Sequence, residues 1–130
     1  MKAFIGIRHN SKYGARKAAV DGIEFDSVKE AKRYSELKLL LMGGKISDLQ
    51  LQVPFELIPT QREPDAVNAR GRVIRGKVIE KAVKYFADFV YTDTESGERV
   101  VEDAKGVKTD VYRIKKKLML YVHGIRVREV

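Results

Sequence analysis

Val83-Lys84-Tyr85-Phe86-Ala87-Asp88-Phe89-Val90-Tyr91, followed after a short turn by Arg99-Val100-Val101-Glu102-Asp103-Ala104-Lys105-Gly106, is the stretch that decides the fold. Both halves are runs of β-branched and aromatic residues. Asp93-Thr94-Glu95-Ser96-Gly97 between them has turn chemistry, so two paired strands are expected. Each strand carries an acid inside an apolar run: Asp88 between Ala87 and Phe89, and Asp103 after Val100 and Val101. Side chains alternate along a strand, so Asp103 and Lys105 share a face and Ala104 takes the other. A lone buried carboxylate is costly, and an acid placed here needs a partner, a metal or solvent. Two acids and a lysine on paired strands make a candidate divalent-cation site. A solvated Asp103–Lys105 ion pair, contributing roughly 0–1 kcal/mol, is the plainer alternative. Glu102 would replace Asp103 only if a bulge reversed the faces.

The 130 residues, 44% hydrophobic and 34% charged, suit one soluble globular domain over residues 1–130. No apolar run approaches the roughly 20 residues that span a bilayer, and no signal-peptide pattern opens the chain, so no membrane partner is expected. The absence of cysteine excludes disulfides and thiolate metal sites and is compatible with the cytoplasm. The net charge of +8 is unevenly spread. Residues 1–20 hold five basic and no acidic side chains, 61–84 hold seven and three, and 109–130 hold six and two. The remainder, which contains the two strands, is therefore acidic. Basic flanks around an acidic centre suit a protein that grips polyphosphate at its rim and cations at its middle. Ordinary solubilising charge is the competing explanation.

Outward from the strands, residues 1–18 are basic and small, either a mobile arm bearing Lys12 or a terminus without function. Asp21-Gly22 predicts a hairpin over 19–25. Ser27-Val28-Lys29-Glu30 is a capping box that starts a helix running from Val28 to about Met42, where Gly43-Gly44 stops it. Tyr34, Leu37 and Leu41 share one helix face, with Glu30 one turn earlier, so Glu30 is either a cap or a functional acid facing the sheet. Leu49 to Leu57 alternates as a strand with one face on the core, and Pro54 marks it as an edge strand or a strand end. Gln50 and Gln52 share its polar face, where they either bond a metal water or phosphate or are simply solvated. From Gln61 to Lys77, Pro64, Asn68, Gly71 and Gly76 punctuate a run of arginines, giving a long loop or protruding hairpin. Arg70, Arg72, Arg75 and Lys77 there suit phosphate contact. Thr109-Asp110 begins a second helix with an apolar stripe of Val111, Ile114, Leu118 and Tyr121 or Val122. Lys108 and Lys116 lie near the acidic centre in sequence and join the candidate nucleic-acid contacts. Gly124 ends the helix, and residues 125–130 alternate as a closing strand.

Mg²⁺ takes oxygen ligands and keeps several waters, so Asp88, Asp103 and the carbonyl of Ala104 would suffice to hold it. Such an ion bridges a scissile phosphate and lowers the pKa of an attacking water. Lys105 would hold that water or offset transition-state charge, and Glu30 would complete the shell.

Asp88, then Asp103-Ala104-Lys105, with Glu30 on a preceding helix, resembles the metal site of the PD-(D/E)XK nuclease superfamily. The chain is also similar to a phage-associated family within it, through Ser11 to Gly14, Phe25 to Ala31, Leu51-Gln52, Phe55 to Leu57, Tyr85 to Tyr91 and Val101 to Thr109. The functional relatives this suggests are small Holliday-junction resolvases. The resemblance implies an α/β, restriction-endonuclease-like core: a mixed central β-sheet flanked by helices. It implies hydrolysis of DNA phosphodiester bonds with Mg²⁺ (or Mn²⁺), a branched DNA partner and often a homodimer. It assigns Glu30, Asp88 and Asp103 as metal ligands, Lys105 as the catalytic lysine and, more weakly, Gln52. Ala87 stands where the motif has proline. The expected function is a junction-cutting endonuclease, in a bacterial host's cytoplasm if phage-encoded. The rivals are a nuclease for flap, single-stranded or duplex DNA, and a basic nucleic-acid-binding protein without chemistry.

Overall fold

The computed structural model describes residues 17–130. Lys12 and positions 1–16 of the expected arm lie outside them. Ala18, assigned to that arm from sequence, instead begins β1 (Ala18–Val20), which pairs antiparallel with β2 (Ile23–Phe25). The turn between them places Asp21 and Gly22 at φ 53° and 74°, the left-handed pair that a tight hairpin needs. Helix α1 (Val28–Met42) follows, and Ser27 Oγ accepts from the Glu30 amide at 3.1 Å. Its last carbonyls are met by the amides of Gly43 and Gly44, the latter at φ 71°.

β3 (Ile46–Ile58) continues outward into a ribbon of four short strands: β4 (Gln61–Arg62), β5 (Ala66–Val67), β6 (Val73–Ile74) and β7 (Val78–Glu80). β4 pairs with β7 and β5 with β6, so the segment is a protruding hairpin, exposed along nearly its whole length. Gly76 is required inside it, because a Cβ there would lie 1.7 Å from the Glu63 carbonyl oxygen. The chain returns as β8 (Val83–Asp93) and β9 (Arg99–Asp103), then α2 (Asp110–His123) and β10 (Arg128–Glu129). The central sheet runs β10-β9-β8-β3; β3–β8 and β8–β9 are antiparallel and β9–β10 is parallel. The molecule is thus α/β with a mixed central sheet and two helices, and Pro54 sits in an edge strand.

Two apolar clusters cover opposite sides of this sheet. Tyr34 and Leu37 of α1 pack with Leu49, Leu51, Phe89 and Tyr91; Tyr112 and Met119 of α2 pack with Phe55, Leu57, Tyr85, Ala87 and Val90. This corrects the expectation of one core face along residues 49–57. The odd-numbered residues of β3 face the α1 cluster up to Leu51 and the α2 cluster from Phe55. The inversion falls at Gln52, whose φ is 51°, and β8 inverts at the level of its register partner between Ala87 and Phe89. A left-handed residue turns the next side chain through to the other face, which regular alternation cannot anticipate.

Two further expectations are corrected. Of the expected α2 stripe only Leu118 packs against the core; Val111, Ile114 and Tyr121 face outward, at 61%, 57% and 88% exposure, and the helix buries Tyr112 and Met119 instead. The closing strand is confined to Arg128–Glu129. Among the described residues, no helix is long and apolar enough to cross a membrane.

Candidate metal centre

Antiparallel pairing sets Phe89 opposite Glu102 and Val90 opposite Val101, and one step further along the same register Asp88 comes level with Asp103. Directly opposed residues of neighbouring strands share a face, so the two aspartates converge. Glu102 points the other way. Fully buried, it accepts a bidentate pair from Arg33 of α1, at 2.8 Å from Nε and 2.7 Å from Nη2, and a hydrogen bond from the Tyr91 hydroxyl. The glutamate thus belongs to the anchor between α1 and the sheet, and Asp103 to the site. Its carboxylate holds the guanidinium far above the ordinary arginine range, and burial pushes the Tyr91 phenol up to about 12.

Asp103 is also fully buried. Its Oδ2 accepts from the Tyr85 hydroxyl, while its Oδ1 has no hydrogen-bond donor and lies 3.7 Å from Lys105 Nζ. Burial first, and the Asp88 charge second, push its carboxyl up to about 8, against the pull of Lys105 and Tyr85. Burial likewise drives the Tyr85 and Tyr112 phenols well above their ordinary range, so both are hydroxyl donors at neutral pH.

Asp88 accepts the Ala104 amide on Oδ2 at 2.8 Å and Gln52 Nε2 on Oδ1 at 3.0 Å. The same Gln52 amide donates to Glu30 Oε1 at 3.2 Å. Glu30 is therefore turned toward the sheet and is tied to Asp88 through the residue at which β3 inverts. The Ser27 end of the capping box is made through the Glu30 backbone. Lys105 Nζ lies 5.6 Å from the centre of the Tyr112 ring, and Lys29 Nζ donates to the Lys105 carbonyl at 3.2 Å. Glu30, Gln52, Asp88, Ala104 and Lys105 line an open cleft of about 400 Å³, with Phe86 and Tyr112 on its walls. Asp103 does not line the cleft itself; its Oδ1 lies 3.7 Å from the ammonium of Lys105, which does.

Among the described residues no three acidic, histidine or cysteine side chains form a ready-made metal cage. Two facing aspartates with one orphaned carboxylate oxygen nevertheless fit a cation that takes few protein ligands and keeps its waters, as Mg²⁺ does. Glu30 is linked to Asp88 through one hydrogen-bonded side chain, Gln52, and Asp88 in turn faces Asp103, so the structure gathers the residues in linked steps.

The candidate phosphate contacts divide. Arg70, Arg72, Arg75 and Lys77 are exposed on the hairpin. Lys108 and Lys116 are instead engaged by Glu129, at 3.4 Å and 2.7 Å, and Tyr112 donates to that carboxylate at 3.1 Å. The Lys116 hydrogen bond leads the effects that hold Glu129 down to about 2. Sequence reading misses Tyr85, Tyr112 and Arg33. The signal for Tyr85 is hidden because it lies three residues before Asp88, which on a regular strand means opposite faces; the inversion brings both to Asp103.

A mixed sheet with one helix packed on each side and an acidic cleft at the level where its strands invert defines an α/β protein with a candidate cation site. The chain belongs to the family described as protein of unknown function (DUF1064), matched over residues 10–128. No curated protein and no solved structure matches it.

Proposed function

We propose that this protein is a metal-dependent DNA endonuclease with a restriction-endonuclease-like core, acting on branched DNA such as a four-way junction. The observation that carries the reading is Asp103: a fully buried aspartate, beside a second aspartate, with an oxygen that no donor meets. Such a group is costly in the absence of a cation and is relieved by one. The residues that would hold it are Asp88 and Asp103, with Ala104 at the cleft wall and Glu30 tied to Asp88 through Gln52. Bound there, Mg²⁺ or Mn²⁺ would polarise a scissile phosphate and acidify an attacking water. Lys105 faces the cleft beside Asp103 and offsets negative charge as it develops on the phosphate. Tyr85 fixes the orientation of Asp103, and Gln52 fixes that of Asp88. The exposed arginines of the hairpin supply sequence-independent grip. A two-fold dimer, which the likeness to junction resolvases implies, would match the two symmetric cleavage sites of a junction.

The test is a panel of end-labelled four-way junction, flap, single-stranded and duplex DNA, each with Mg²⁺ or with EDTA. Junction cleavage that EDTA abolishes is expected, with Asp103→Asn and Lys105→Ala each slowing it on the order of 10²-fold or more while binding survives. A preference for linear duplex would remove the junction assignment. Junction binding with no cleavage of any substrate would leave a basic binding protein.

A further inference from the structure

Beside the acidic cleft runs a second and roomier groove, of about 620 Å³, between α2 and β10, and Tyr112 lines both. Its apolar surface is Leu120, Ile125 and Val127, and Arg113, Lys117 and Arg126 stand around it. In the middle, one carboxylate, Glu129, is held by Lys116, Lys108 and the Tyr112 hydroxyl. Two ammonium groups and a hydroxyl converging on one anion form a phosphate-type cradle, here filled by the protein's own side chain. Its position is defined by the sheet: Glu129 is the register partner of Asp103 on the adjoining parallel strand. Neighbouring strands are about 4.8 Å apart, so the cradle lies next to the candidate cation site.

We propose that this groove is a nucleotide subsite adjoining the scissile position, whose phosphate place is held in the free protein by the Glu129 carboxylate. The incoming phosphate takes Lys108 and Lys116 from Glu129, and the sugar and base lie over Leu120, Ile125 and Val127. Charge and shape both favour a nucleotide. Its phosphate meets the cationic rim, and its flat base covers apolar surface that is otherwise wet. The subsite adds to the nuclease reading a contact for the nucleotide flanking the cut. It also gives the protein a built-in competitor that a DNA strand has to displace.

The test measures binding alone, in EDTA, so that loss of the nuclease reading would leave it standing. Fluorescence anisotropy with labelled decathymidylate should show Glu129→Gln binding several-fold tighter, with a salt slope steeper by about 1–2 for the two released lysines. Glu95→Gln, the same charge change on the remote β8–β9 turn, should do neither. Leu120→Ser, at a half-exposed position, should weaken decathymidylate several-fold more than an abasic strand of equal length. Thymidine monophosphate should compete better than inorganic phosphate, and a strand better than either. The subsite is overturned if Glu129→Gln matches wild type in affinity and slope, or if Glu95→Gln has an equal effect. It is also overturned as a nucleotide site if Leu120→Ser weakens both strands alike or inorganic phosphate competes as well as the nucleotide.

Discussion

Asp103 shows how a single residue makes the site testable without any substrate. Its ordinary value is 3.8 and its value in the fold is about 8, raised first by burial. Between those limits the folded state keeps a proton that the unfolded chain has released. Stability of the metal-free protein therefore falls as pH rises through that window. Urea midpoints in EDTA should drop from pH 5 to pH 8, and Asp103→Asn should flatten the profile and be the more stable protein at pH 8. A wild-type midpoint that climbs over this range would contradict the burial account. Cation binding needs the carboxylate free of its proton, so Mg²⁺ or Mn²⁺ should bind more tightly as pH rises toward 8. The Lys105 ammonium offsets only part of the cost, since at 3.7 Å it stands outside hydrogen-bond distance of Oδ1.

At the scale of the element, the site depends on how α1 is fixed to the sheet. The Arg33–Glu102 pair joins the helix that carries Glu30 to the strand that carries Asp103. Arg33→Met should cost about 3–5 kcal/mol, because it strands a fully buried glutamate, and adding Glu102→Leu should recover much of that loss. A double-mutant cycle from urea unfolding reads the coupling. Additive costs would mean the pair does not anchor the helix. Gln52 makes the opposite case. Its left-handed backbone costs about 1–2 kcal/mol, a cost that Gln52→Gly relieves while leaving two buried carboxylates short of a donor, so stability should change little while cleavage slows through loss of the Glu30–Asp88 bridge. Equal loss of stability and activity would argue against strain held for function. The elements whose signals are local are legible from sequence: the Asp21-Gly22 turn, the Ser27 and Thr109 caps, the Gly43-Gly44 and Gly124 stops, and the β8–β9 pair. The inversion at Gln52 is not, because nothing in a glutamine reveals the sign of its φ. The roll of α2 is not either. Its buried face joins Tyr112 to Met119 past two partly buried lysines, Lys115 and Lys116, so the more regular apolar stripe points to the wrong side. The acids of the site are legible because carboxylates in apolar strands are conspicuous. The tyrosines that hold them are not, since their roles exist only once the strands are paired.

Across the whole molecule, charge is separated: two aspartates and a glutamate at the sheet, and an exposed basic hairpin projecting from the β3 and β8 ends. If DNA lies along that hairpin, neutralising Arg70, Arg72 and Arg75 together should weaken junction binding and flatten its dependence on log salt by about 2–3 units, close to one per lost phosphate contact. An unchanged slope would return the hairpin to a solvated protrusion. The central claim is narrower than any DNA preference, namely that Asp88 and Asp103 together hold a divalent cation. Calorimetric titration of the metal-free protein with Mn²⁺ at pH 7.5 tests it most directly. Saturable binding that is lost in both Asp88→Asn and Asp103→Asn, with each variant still folded by circular dichroism, is the predicted result; binding of equal affinity in wild type and both variants would contradict it.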